Sequence, residues 1–199
     1  MRKISLFILA LFTLFSLSVA PQARAELYVL EKPHTQILFN VSHLGFSKSY
    51  GKFLKFDGEF HFDPTKVEDS KINVIINTAS IEMNDGKWND HLKNADFFNV
   101  EKFPEMTFTS TAIQKTGENT GLVTGNLTLL GVTKPITLNV TYNKTDIHPF
   151  TKETVAGFSA RGSLKRSDFG MTYGLPGIGD EVEIILEVEG LKRDSTPSN

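Results

Sequence analysis

Apolar and polar residues trade places one by one along most of this chain, and that period of two constrains the fold more than any other feature. Ile136, Leu138, Val140 and Tyr142 alternate with Thr137, Asn139, Thr141 and Asn143. Val182, Ile184, Leu186 and Val188 alternate with Glu181, Glu183, Glu187 and Glu189, Ile185 being the exception. Leu54, Phe56, Gly58, Phe60 and Phe62 share one parity, and Lys55, Asp57, Glu59 and His61 the other. Ile37, Phe39 and Val41 repeat the pattern, as do Ile72, Val74 and Ile76, and Val123, Leu127 and Leu129. Successive side chains of a strand point to opposite faces, so each segment reads as a strand with one buried face. Turn signals punctuate them at Asp63-Pro64, between Gly117 and Gly121, and from Gly131 to Pro135. The pattern predicts eight long strands, near 34–44, 53–62, 71–78, 106–114, 121–130, 135–144, 155–166 and 181–191, and a short one at 27–31. No helices intervene regularly, which disfavours a parallel sheet and leaves an antiparallel sandwich or an up-and-down barrel.

The first 25 residues are excluded from that fold. Arg2 and Lys3 precede an apolar run from Ile4 to Ala20, and Ala23-Arg24-Ala25 follows as a small-x-small cleavage pattern. This describes a secretory signal peptide; the alternative, an uncleaved N-terminal helix, suffers from a run short for a bilayer span. Removing Arg2, Lys3 and Arg24 lowers Lys plus Arg from 21 to 18 against 23 Asp plus Glu, a net charge near −5. Nucleic acids and anionic lipid surfaces reward basic patches, so neither is an expected partner. Cysteine is absent, which excludes disulfides, thiolate catalysis and Cys-based zinc sites. A secreted chain without disulfides fits a bacterial envelope. The domain is expected over 26–193, followed by a disordered tail at 194–199.

Catalytic patterns are missing. No G-x-S-x-G elbow is present, and His34, His43, His61, His91 and His148 are scattered without H-x-H or H-E-x-x-H spacing. His61 sits among charged neighbours and reads as a solvated strand position. His43 shares the inward parity of Phe39 and Val41, which suits a hydrogen-bonded core histidine or a ligand contact. The loop from Gly174 to Gly179 lacks a Lys-Ser/Thr and leads into a strand, so it reads as a connection and not a phosphate cradle. In Trp88-Asn89-Asp90-His91-Leu92, Asn84 or Asp85 can cap a short helix with Trp88, Leu92 and Ala95 on one face and Asp90, Asn94 and Phe97 on another. Adjacent residues on a helix point about 100° apart, so Asp90 and His91 cannot form a dyad. A helix flanking a barrel mouth fits better, with His91 or Asp96 placed for a rim hydrogen bond.

The segment 155–166 places Ala156, Phe158, Ala160, Gly162 and Leu164 on its apolar parity. Small residues on an inward face mean tapered packing or an empty lumen, and composition does not choose between them. A barrel of about eight strands is the size that holds one slender ligand.

Several blocks together resemble the YceI family of bacterial periplasmic proteins. They are H-T-Q-I-L-F-N-V-S-H-L-G-F (34–46), Y-G-K-F-L-K-F-D-G-E-F-H-F-D (50–63), H-L-K-N-A-D-F-F (91–98) and F-P-E-M-T-F-T-S-T (103–111). G-N-L-T-L-L-G-V-T-K-P-I-T-L (125–138), R-S-D-F-G-M (166–171) and G-D-E-V-E-I (179–184) complete the set. The resemblance covers essentially the whole chain after the leader. It implies an all-β, extended eight-stranded antiparallel, lipocalin-like barrel with a short helix at its mouth. It further implies a lumen for a long polyisoprenoid or comparable amphiphile (an isoprenoid quinone, a polyprenyl phosphate or a fatty-acid amide), with no catalytic residues, metal or cofactor. One departure stands out. Where the family commonly carries R-D-x-H-L this chain has Trp88-Asn89-Asp90-His91-Leu92, which favours a neutral quinone or amide over an anionic head group.

On that reading, Phe39, Val41, His43, Phe60, Phe62, Ile76, Phe108, Leu127, Leu129, Leu138, Val140, Phe158, Leu164 and Leu186 are expected around the lumen. Trp88, His91, Leu92, Phe97, Phe98 and Phe169 are expected at the mouth. The chain is expected to act as a periplasmic carrier in a Gram-negative bacterium. Transient contact with a membrane cytochrome and a homodimer through an exposed barrel edge are further expectations. A fatty-acid or fatty-amide binder, a secreted lipid-modifying enzyme and an interaction module remain the alternatives.

Overall fold

The structure is a computed structural model, and it describes residues 25–193. All of the expected leader except Ala25, and the expected tail at 194–199, lie outside the described residues. Eleven strands form one antiparallel sheet. They are β1 (Glu26–Leu30), β2 (Gln36–His43), β3 (Ser47–Phe53), β4 (Phe56–Phe62), β5 (Lys71–Asn77), β6 (Ile81–Glu82), β7 (Glu105–Lys115), β8 (Thr120–Leu129), β9 (Val132–Ile147), β10 (Thr154–Lys165) and β11 (Ile178–Arg193). One helix, α1 (Gly86–Lys93), lies between β6 and β7.

Eleven strands become an eight-membered ring because three of its members are broken. Strand β11 pairs with β2 through Ile178–Glu187 and with β1 through Gly190–Arg193, so β1 and β2 are two halves of one staff. The same holds for β3 and β4, which lie against β2 and β1 in turn, and for β5 and β6. Pro33, which carries no N–H, sits in the first break. That break is stapled by Glu31 N–H donating to Glu189 O (2.8 Å) and the Thr35 hydroxyl donating to the same oxygen (3.2 Å). The others are joined by Leu54 N–H to Ser80 O (3.1 Å) and Asn77 N–H to Lys55 O (3.0 Å). With β1 paired to both β4 and β11, the ring closes. Closure removes full-length edges, and on its outer side β3 is paired only at Lys52 and Phe53.

Two departures from the sequence reading have local causes. Strand β3 was not expected, because its inward positions are Ser47, Ser49 and Gly51, with Lys48, Tyr50 and Lys52 outside. A Cβ at Gly51 would collide with the Met83 sulfur and the Phe39 ring, so larger neighbours fill the space that a large inward residue would occupy. Leu54, read as inward, is 56% exposed, since it sits in the break between β3 and β4. Between β8 and β9, Leu130 (φ 52°) and Gly131 (φ 73°) make a two-residue connection with both residues left-handed. That turn matches the right-handed strand twist.

Candidate ligand-binding cavity

The barrel has two ends. At one lie α1, the β2–β3 hairpin, the β8–β9 turn and the 166–178 segment; at the other lie the 63–70 loop and the β7–β8 hairpin. A cavity of about 670 Å³ runs between them, lined from His43, Trp88 and Arg166 to Pro64, Ser70, Lys115 and Asn119. Its volume falls within the roughly 300–1,000 Å³ of small-molecule sites. The wall is overwhelmingly apolar, for the reason visible in the sequence: inward parity on each strand is aliphatic or aromatic.

Aromatic rings gather in two groups. Phe60, Phe62, Tyr142 and Phe158 stand 5.1–5.5 Å apart between ring centres in the half away from α1, and Tyr28 stacks on Phe60 at 5.1 Å. Nearer α1, Phe53 meets Phe39 (5.7 Å) and Phe98 (5.6 Å). Both meanings of a small inward residue occur side by side. The rings of Phe108 and Phe60 lie over Gly125 and Gly190, and Leu138 over Gly162, which is tapered packing. Ala160, opposite Val140 and Leu186 on the neighbouring strands, borders open cavity.

At the α1 end, Asp85 caps the helix by accepting the Trp88 N–H (2.8 Å). The helix ends at Lys93, one turn sooner than its apolar spacing implied, so Ala95 falls beyond it and is exposed. Asp90 and His91 diverge as expected: Asp90 faces Lys93 (3.6 Å) and His91 Nε2 faces Asp96 (3.4 Å). The His91 ring also meets Phe97 (5.0 Å) and Tyr173 (5.4 Å) edge-on. His43 contacts Trp88 edge-on at 6.4 Å. Its ring makes no hydrogen bond among the described residues, so it is a cavity-wall residue and not the hydrogen-bonded core histidine its parity suggested.

Every residue expected at the lumen or mouth borders this cavity except Phe169. Phe169 closes the 3-10 turn Arg166–Phe169 and is 2% exposed in the core, because that turn rotates it off the cavity wall. His61, read as solvated, is half-buried and reaches the far end of the cavity. Sequence reasoning missed Arg166, Lys115, Glu118, Asn119 and Ser70, which also border it. All but Arg166 lie in or beside loops, where no periodicity tells inside from outside. The group whose spacing suits a metal, Glu31, His34 and Glu189, lies around the β1–β2 break with exposed His34, whose Nδ1 is 3.1 Å from Glu31.

A closed antiparallel ring around an apolar chamber defines a hydrophobic-ligand-binding protein. The chain belongs to the YceI-like family, whose YceI-like domain matches residues 28–190. Protein YceI of Salmonella arizonae and of Salmonella paratyphi B are each 43% identical over 185 residues, covering 92% of this chain and 96% of theirs. Burkholderia cenocepacia BcnA superposes with a TM-score of 0.74 at 26% identity, over 80% of this chain and 98% of that one. The Campylobacter jejuni YceI protein gives 0.68 at 32% identity, over 77% and 90%. A polyisoprenoid binding domain from Saccharophagus degradans gives 0.61 at 16% identity, over 83% and 98%, which establishes the shared fold.

Proposed function

We propose that the protein is a periplasmic carrier that sequesters a long-chain polyisoprenoid, an isoprenoid quinone or a similar amphiphile, inside the barrel. The observation that carries this reading is the apolar cavity reaching from Trp88 and His43 to Lys115 and Asn119. The Saccharophagus degradans domain, described as polyisoprenoid binding, has the same architecture, and the leader-like N-terminus supports export.

Burial of each CH₂ contributes about 0.8 kcal/mol, so a few prenyl units gain on the order of 10 kcal/mol gross. Ordering a flexible chain and losing its translational freedom offset much of that gain. Affinity therefore grows with the length of chain that the cavity accepts, and a few polar contacts orient the head. Trp88, the only tryptophan of the sequence and a residue of the cavity wall, supplies a built-in probe. Titrating the purified protein with a polyprenyl quinone is expected to quench its fluorescence saturably, at roughly one quinone per chain, whereas a short-chain quinone quenches weakly. Quenching equal for long and short chains would overturn the reading.

A further inference from the structure

Arg166 is a charged residue built into the ceiling of this cavity. It is 3% exposed, follows the end of β10 and borders the cavity beside Leu164, Met171 and Ile178. Its Nε donates to Gly179 O (2.8 Å), Nη1 to Met171 O (3.0 Å), and Nη2 to Tyr173 O and Ile178 O (both 2.9 Å). Those four acceptors are neutral carbonyls. A guanidinium carries five N–H donors, so among the described residues one N–H on Nη1 has no protein acceptor. Among the described residues Arg166 forms no ion pair. Asp180, the carboxylate whose field it feels, spends both oxygens on the Ser167 N–H (2.9 Å) and hydroxyl (2.8 Å). Burial works against the charge and Asp180 works for it, but a guanidinium stays protonated in proteins.

The consequence is a fixed, buried cation at the α1 end of a mostly apolar chamber, whose other charged groups, Lys115 and Glu118, lie at the opposite end, with one donor uncommitted. A hydrogen bond to a charged group is stronger than a neutral one, and more so away from water. We infer that Arg166 is the head-group anchor of the cavity, binding an oxygen acceptor (a quinone carbonyl or a phosphoryl oxygen) at the α1 end. The apolar tail then extends toward the β7–β8 hairpin. This rests on the carrier reading above.

The test compares a polyprenyl quinone, the matching polyprenyl phosphate and a hydrocarbon of the same chain length, for the intact protein and for Arg166→Gln. The expected result is that Arg166→Gln weakens quinone or phosphate binding by about tenfold or more while hydrocarbon affinity changes little. Which of the two oxygenated ligands loses more identifies the head group. Equal losses for all three ligands would reduce Arg166 to a clasp for the 171–179 segment and overturn the inference. Absence of any binding by the intact protein would instead overturn the carrier reading. Should the variant fail to fold, the intact protein still decides through infrared spectroscopy of bound carbonyl-labelled quinone and of phosphate-labelled polyprenyl phosphate. A C=O or P–O stretch shifted from its value in alkane solution is expected for whichever ligand is held; unshifted bands for both contradict the anchor.

Discussion

Ala160 and Gly125 are both small inward residues of this barrel, and they predict opposite outcomes when enlarged. Ala160 borders open cavity, so the ring of Ala160→Phe has space to occupy and takes volume from the ligand. Quinone uptake should be lost while the melting temperature stays within a few degrees; unchanged uptake would mean that β10 does not face the ligand. Gly125 is already covered. A Cβ there would overlap the Phe108 ring and come within 2.7 Å of the Thr109 carbonyl oxygen. Gly125→Ala should therefore destabilise the fold by about 1–3 kcal/mol, as overpacking does, measured by denaturant unfolding. The sequence alone could not separate these cases, because what decides each one is a ring arriving from a neighbouring strand.

At the scale of elements, α1 depends on its cap. Asp85→Ala removes the acceptor of the Trp88 N–H and is expected to lower stability by about 1 kcal/mol. Hydrogen exchange should show the loss concentrated in α1, where Trp88, His91 and Leu92 border the cavity. Elements were legible to different degrees for physical reasons. Strands β8, β9 and β11 alternate large apolar with polar residues and declare themselves. Strand β3 does not, since Ser47, Ser49 and Gly51 leave room for Phe39 and Met83. Phe169 was misplaced because a single 3-10 turn has no repeat from which to read a face. Arg166 was visible only within the R-S-D-F-G-M block, since a lone arginine at a strand end reads as surface charge until its carbonyl partners are seen.

Across the whole molecule, the acid limb of stability follows from carboxylates that hydrogen bonds hold below their ordinary range. Asp180 is lowered by the Ser167 N–H and hydroxyl, Asp63 by the Thr65 hydroxyl and N–H, and Glu187 by the Ser159 hydroxyl. Glu183 is lowered by Asn40 and Lys48, Glu82 by Asn89, and Asp146 by Lys144. A folded-state value below the unfolded one means that the contribution is complete above about pH 5 and is lost as pH falls through the depressed values. Unfolding midpoints should decline below about pH 5, and Asp180→Asn should flatten part of that slope; a slope unchanged by the substitution would count against the Ser167 contacts. Neither pH measurement reaches the interior. Native mass spectrometry of protein freshly isolated from its own host, followed by organic extraction, does. A bound long-chain apolar molecule is expected to accompany the folded chain and to appear in the extract. A bare polypeptide mass, an extract without apolar compounds and no uptake of added polyprenyl quinone would contradict it.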